Sequence, residues 1–284
     1  MDIVSYIRLP SKKAEEAKKL YKLCSEADHL ASDLFLDPGL ETEEMMPHFW
    51  EARENDRMIS FLTLFSSGKE EVEVTAFTDP AFRKQGYFHS ILSQVMRRCR
   101  EHGYSRILYA VETKSVRGIE TVQHLPDTAY AFSEYRMQLL DKPTFHTKEG
   151  TSFIPVTNIV FPRYAALLAK LFGEGDERKS YLAKVLSDPR RHGWMACVGD
   201  EPIGVCHLND EGSKCCVYGF ELLPYWRGKG YGRLLLEYVT AQAIEWRKQV
   251  VLDVESDNIV ALTLYRSMGF SEVYEIAYYA TELS

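Results

Sequence analysis

The chain has 284 residues, 45% of them apolar and 26% charged, with a formal net charge of −7. At about 150 residues per domain, that length predicts two domains. An aromatic content of 12% excludes disorder as the dominant state. The acidic balance argues against non-specific nucleic-acid binding. The longest useful uncharged run, Phe153 to Pro162, is far short of the roughly 20 residues a membrane span needs.

In chain order, the N-terminus has no apolar core ahead of a cleavage site, so no signal peptide is expected. Helical patterns come next, at Lys12–Ala31 and Thr42–Phe49. A turn-like Asn55-Asp56 precedes the segment Asp79-Pro-Ala-Phe-Arg-Lys-Gln-Gly-Tyr-Phe88. A polar stretch with Pro and Gly, Asp141–Thr151, reads as a seam. Beyond it come helical patterns at Pro162–Phe172 and Glu177–Ser187, then strands at Trp194–Val198 and Ile203–Leu208. A strand over Lys214–Leu223 stops at Pro224. A long helix opens after three glycines, with Leu235, Leu236, Val239, Ala243 and Trp246 at helical spacing. Its Glu237, Glu245 and Arg247 read as a solvated face. A short buried strand at Val250–Val254, a helix at Val260–Met268 ended by Gly269, and a strand at Phe270–Ala280 complete the chain.

The chain repeats itself. Leu223-Pro-Tyr-Trp-Arg-Gly-Lys-Gly-Tyr-Gly232 matches Asp79–Phe88, with Arg83 aligned on Arg227 at an offset of 144 residues. The same offset pairs Pro80 with Pro224, Gly86 with Gly230 and Asn55-Asp56 with Gly199-Asp200. This predicts a duplicated α/β domain with a mixed sheet, residues 1–142 and 150–284. The six cysteines (24, 99, 197, 206, 215 and 216) form no CxxC pair and sit mostly in apolar contexts. They predict reduced, buried thiols and a cytoplasmic location. No cluster with metal-ligand spacing is visible, so no metal is expected.

The chemistry is concentrated in Arg227-Gly-Lys-Gly-Tyr-Gly232. The first backbone N–H groups of a helix lack internal partners and carry the positive end of its dipole. Glycines let a pyrophosphate approach that backbone. The spacing matches neither GxxxxGK[ST] nor GxGxxG.

Arg227-x-x-Gly230-x-Gly232 resembles motif A of the GCN5-related N-acetyltransferases, [QR]-x-x-G-x-[GA]. Asn258-Ile-Val-Ala261-Leu-Thr-Leu-Tyr265-Arg-Ser-Met-Gly269-Phe270 resembles that family's motif B. The likeness covers residues 150–284, with a weaker copy in the first half, as in tandem members of the family. It implies two tandem domains of this fold, each a mixed, mostly antiparallel sheet flanked by helices. It implies acetyl-CoA as co-substrate, held by Leu222, Leu223, Arg227, Gly228, Lys229, Gly230, Tyr231, Gly232 and Asn258. It implies Tyr265 as the acid that protonates the departing thiolate, and an amine acceptor, small molecule or peptide. Glu221 is the first candidate for general base, with Glu255 and His207 behind it. Alternation places Tyr218, Phe220 and Leu222 on one face of their strand and Glu221 on the other, unless a bulge intervenes.

The first half departs from the pattern. Phe88 stands where motif A ends in Gly or Ala, and Thr113–Pro126 has no Asn–Tyr–Gly-Phe set. That half is expected to lack the leaving-group acid and to serve as a buttress and part of the acceptor cleft. Arg83, Gln85, Gly86 and Tyr87 retain the elements of a CoA loop. The other class of function consistent with these residues is a noncatalytic acyl-CoA-binding or scaffold protein.

Overall fold

A computed structural model describes residues 1–36, 46–66, 70–141, 143–173 and 187–283. The chain runs β1 (Asp2–Tyr6), α1 (Ser11–Asp28), β2 (Phe49–Glu54), β3 (Arg57–Phe65), β4 (Glu71–Thr78), α2 (Tyr87–Glu101), β5 (Arg106–Glu112), α3 (Val116–Gln123) and β6 (Thr128–Leu139). It continues through β7 (Thr151–Pro155), α4 (Phe161–Phe172), β8 (Arg191–Val198), β9 (Glu201–Asp210), β10 (Lys214–Leu222), α5 (Tyr231–Glu245), β11 (Gln249–Glu255), α6 (Ile259–Ser267) and β12 (Phe270–Glu282).

Two compact units result: Met1–Glu134 with Tyr274–Ser284, and Tyr135–Val273. Unit 1 therefore includes C-terminal residues that the sequence repeat assigns to the second half. The reason lies in side chains. Ala277 and Tyr279 of β12 are buried in the unit 1 core, and the strand runs antiparallel to β5 from Ile276–Glu112 to Glu282–Arg106. Met137 of β6, in turn, is fully buried in the core of unit 2.

In unit 1 the strands lie in the order β1-β2-β3-β4-β5-β12. Neighbours are antiparallel except β4 and β5, which are parallel. Helix α2 buries Ile91, Leu92, Val95 and Cys99 against one face of this sheet, and α1 buries Ala17, Leu20 and Cys24 against the other. Unit 2 repeats the plan as β7-β8-β9-β10-β11-β6. There α5 and α6 cover one face, with Leu235, Leu236, Val239, Ala243 and Leu262 buried, and α4 covers the other with Tyr164, Leu167 and Leu168. Each sheet has helices on both faces, which is why β3 and β9 are apolar on both sides rather than alternating.

Several expectations need correction. Helix α1 stops at Asp28, short of Ala31, because His29 turns into the left-handed region at φ 55°. The helix expected at Thr42–Phe49 lies outside the described residues up to 45; beyond them Phe49 already belongs to a strand. The one expected at Glu177–Ser187 lies outside the described residues except for Ser187. Strands β1 and β7 begin the two halves and leave no clear pattern in the sequence, since each is only five residues long and has no fully buried residue. Glu237 is not on a solvated face. It is 1% exposed and accepts from the His146 backbone N–H at 2.8 Å, with His146 Nδ1 at 2.9 Å.

Candidate active site

In unit 2 the parallel ladder between β10 and β11 runs from Lys214–Gln249 to Val217–Leu252. Beyond it β10 continues to Leu222 and β11 to Glu255, so the pairing ends where the strands still have length to run. On its other side β10 stays paired with β9, but with a bulge: Tyr218 faces His207, and Glu221 faces Val205. Gly219, at φ 54°, takes up the extra residue. The bulge overturns the simple alternation. Phe220 and Leu222 pack with Cys215 and Val217 on the α5 core, whereas Tyr218 lies against the ring of His207, whose Nε2 lies 2.6 Å from the Tyr164 hydroxyl of α4.

At the end of β10, Leu223 N–H donates to Ile203 O at 2.9 Å. One residue earlier, Leu222 N–H therefore points away from β9. It donates to Glu221 Oε1 at 3.1 Å, and Leu222 O accepts from Arg227 Nε at 3.0 Å. Arg227 Nη2 closes the triangle on Glu221 Oε1 at 2.8 Å. Both polar groups of Leu222 on this edge, and the first candidate base, are thus tied together by motif A's arginine.

The chain then makes a 3-10 turn at Pro224–Trp226 and enters α5 through Gly228 and Gly230, at φ 70° and 87°. A Cβ would be strained at both positions. Chain neighbours aside, no described atom lies within 4 Å of where either Cβ would be. The N–H groups of residues 228–233 have no acceptor among the described residues; the first bond into the helix is Leu234 N–H to Gly230 O. These are the donors a pyrophosphate needs. Gly232 serves a different end. A Cβ there would come within 3.3 Å of Phe220 Cζ and 3.4 Å of Leu222 Cδ1, so glycine lets α5 approach the strand end. Cations gather around the loop. Lys148 Nζ donates to Lys229 O at 3.2 Å and lies over Tyr231. Lys229 Nζ sits 3.5 Å from the Tyr225 ring centroid. Arg233 is held by Ser267 and, at 3.8 Å, by Glu237.

Asn258 is the N-cap of α6, its side-chain oxygen accepting from Ala261 N–H at 3.1 Å. Seven residues on, Tyr265 is 8% exposed, with its ring 6.4 Å from Phe220 and 6.0 Å from Phe270. Its hydroxyl has no hydrogen-bond partner among the described residues. Burial, with Cys206 and Glu221 adding to it, pushes this phenol well above its ordinary range and keeps it protonated. Glu255 is exposed at the end of β11. His207 is 6% exposed, and burial pushes its pKa down to about 4. It is a neutral, enclosed side chain rather than a base open to an acceptor.

Unit 1 carries the same loop and a different strand end. Lys84 and Gly86 take φ 62° and 84°, and Arg83 Nε donates to Thr78 O at 3.2 Å, as Arg227 does to Leu222 O. The Arg83 guanidinium, however, is clamped by both oxygens of Asp28 at 2.8 and 2.9 Å. Cys24 Sγ also reaches Thr78 O. Across the gap, Glu112 at the end of β5 accepts from Ala31 N–H and Ser32 N–H at about 2.9–3.0 Å. The chain from Asp28 to Ser32 thus bridges the ends of β4 and β5, which pair only from Glu71–Arg106 to Val74–Tyr109. The corresponding stretch of unit 2 lies, from residue 174 on, outside the described residues. Phe88 packs into the unit 1 core together with Ala76, the counterpart of Phe220. Large and small have exchanged places between strand and helix. Val122 stands where Tyr265 stands, on a helix capped by Ser115 as α6 is by Asn258.

The profile of the acetyltransferase (GNAT) family matches this chain twice, over residues 14–121 and 160–270. The chain belongs to that family. No curated protein sequence gives a significant match. Among solved structures it is similar to a GCN5-related N-acetyltransferase from Sphaerobacter thermophilus, at 17% identity over 99% of this chain and 96% of the other, TM-score 0.78. It is also similar to a tandem GNAT protein from the clavulanic acid biosynthesis pathway, at 13% identity over 100% and 98%, TM-score 0.73. A GNAT-family acetyltransferase from Colwellia psychrerythraea matches at 13% identity over 99% and 100%, TM-score 0.65. At such identities these structures establish the tandem GNAT fold, a fold associated with acyl transfer. Among the described residues, no helix is long and apolar enough to cross a membrane.

Proposed function

We propose that unit 2 transfers an acetyl group from acetyl-CoA to a primary amine. The observation that carries this reading is a coincidence of parts. The donor-rich loop of Gly228–Arg233, the strand edge at Leu222 and the buried, protonated Tyr265 meet in unit 2, and unit 1 keeps only the loop.

The loop amides, with Lys148, Lys229 and Arg233 nearby, hold the pyrophosphate. The pantetheine arm lies along β10 as an added strand, using the Leu222 groups that Glu221 and Arg227 otherwise satisfy. When Glu221 swings off, the Leu222 N–H is free to polarise the thioester carbonyl and the carboxylate is free to take the amine's proton. The amine nitrogen bonds to the carbonyl carbon, the carbon–sulfur bond breaks, and the sulfur takes its proton from Tyr265 Oη. The burial that raises the phenol's pKa raises the thiolate's proton affinity as well, so donor and acceptor stay matched. The net negative charge favours a cationic acceptor weakly.

The test is release of free CoA thiol from acetyl-CoA with a panel of amines. Amine-dependent release that Tyr265→Phe reduces supports the reading. CoA binding with no thiol release for any amine overturns it in favour of a noncatalytic acyl-CoA-binding protein.

A further inference from the structure

The bulge that bends β10 before the reactive strand end is built around one side chain. His207 Nδ1 lies 3.2 Å from Gly219 O, the carbonyl of the bulge residue, and Nε2 lies 2.6 Å from the Tyr164 hydroxyl. A single neutral tautomer satisfies both: Nδ1–H donates to Gly219 O, and Nε2 accepts from Tyr164 O–H. The ring also lies against Tyr218, centroids 5.1 Å apart and the planes tilted by 31°. Two glycines make room for it. A Cβ on Gly219 would stand 2.8 Å from Nδ1, and a Cβ on Gly193, the cross-strand partner of His207, 2.8 Å from Cδ2.

The duplication provides an internal control. At the matching positions unit 1 has Thr63 for His207, Phe49 for Gly193 and Leu20 for Tyr164. There β4 pairs with β3 from Ser60–Thr78 to Phe65–Glu73 with no register shift. Bulge and histidine are present together in one unit and absent together in the other. A bulge adds a residue to one strand, bends it and re-aims the side chains beyond it. In β10 those are Phe220 beside Tyr265, Glu221 on Arg227, and Leu222.

We infer that His207 is a positioning residue: by holding the Gly219 carbonyl it fixes the bulge, and with it the angle at which Phe220–Leu222 face the acyl group. The inference rests on the acetyl-transfer reading of unit 2. His207 acts mainly on turnover, because the loop of Gly228–Arg233 supplies the larger share of CoA affinity and the pantetheine pairing at Leu222 the smaller.

The experiment compares His207→Leu, which fills similar space without a donor, with His207→Asn, whose amide can still donate to Gly219 O. Three quantities are read: CoA affinity, turnover, and the backbone amide NMR signals of residues 219–222. In the leucine variant turnover is expected to fall about 10-fold or more, the scale of a misaimed reacting group. CoA affinity should stay within about twofold, and the amide signals should move. Asparagine should return both turnover and signals towards wild type. A residue that merely packs would give the opposite order, with leucine tolerated and asparagine not, and that result overturns the inference. If wild type releases no CoA thiol, the reading of unit 2 falls by itself. The amide signals then decide the role of His207, and signals that stay in place in the leucine variant overturn it.

Discussion

Units 1 and 2 share a strand order, a glycine turn and an arginine that caps the carbonyl five residues before it, yet a buried tyrosine stands near the strand end in unit 2 and a valine at the matching position in unit 1. The loops are almost superposable in their dihedrals: φ 62° and 84° at Lys84 and Gly86, 70° and 87° at Gly228 and Gly230. Among the described residues the difference lies in what the arginine holds: Arg83 is clamped by Asp28, whereas Arg227 reaches Glu221 beside Leu222. In unit 1, Glu112 also accepts from the backbone of Ala31 and Ser32, so that unit's own chain bridges the ends of β4 and β5. The turn is a matter of local backbone geometry and is alike in both units, whereas the strand end takes side chains from several elements and differs between them.

The sharpest way to break this comparison is to place valine in each turn. Gly230→Val puts a β-branched residue at φ 87° and is expected to abolish CoA binding, whereas Gly86→Val should leave it unchanged. Calorimetric titration with CoA checks this, and equal loss from both variants contradicts it. Acid should separate the units next. Folded unit 2 holds His207 neutral down to about pH 4, while the unfolded chain protonates it near its ordinary value. The unfolded state therefore binds more protons between those values, and stability falls as pH drops through that window, by about 2 kcal/mol between pH 7 and pH 5. Unit 1, with Thr63 at that position, lacks this contribution. Urea unfolding of wild type and His207→Asn at the two pH values measures it, with a smaller drop expected in the variant.

Tyr265→Phe is expected to lower turnover about 10-fold or more, the scale of a lost general acid, with CoA affinity little changed. Val122→Phe, at the matching position of unit 1, should leave turnover alone. Steady-state rates of CoA thiol release check both. The smallest effect is expected from Arg83→Ala. The Arg83–Asp28 pair is partly exposed, so its loss should cost only about 1 kcal/mol of stability and no CoA affinity. A loss of CoA affinity in this variant would mean that the unit 1 loop binds CoA after all.

Much of this was legible in the sequence. Motif A and motif B placed the loop, Asn258 and Tyr265 on the right elements, because glycine turns and helix caps are local features. The departures of unit 1 from both motifs, Phe88 and the missing tyrosine, were legible for the same reason. Three things were not. The plug at Asp28–Ser32 depends on Glu112, eighty residues away, and leaves no local pattern. The bulge was hidden by the constancy of the repeat: the stretch from His207 to Tyr218 is one residue shorter than that from Thr63 to Thr75, which cancels the residue gained at Gly219. Glu237 looked solvated because its partner, His146, lies in the polar seam rather than on the helix.

The central claim is that one of two look-alike loops serves acyl-CoA. Titration of the intact chain with CoA, read as stoichiometry, tests it most directly. One CoA per chain, lost in Gly230→Val, is the expected result. Two CoA per chain, or one that survives Gly230→Val, would contradict it.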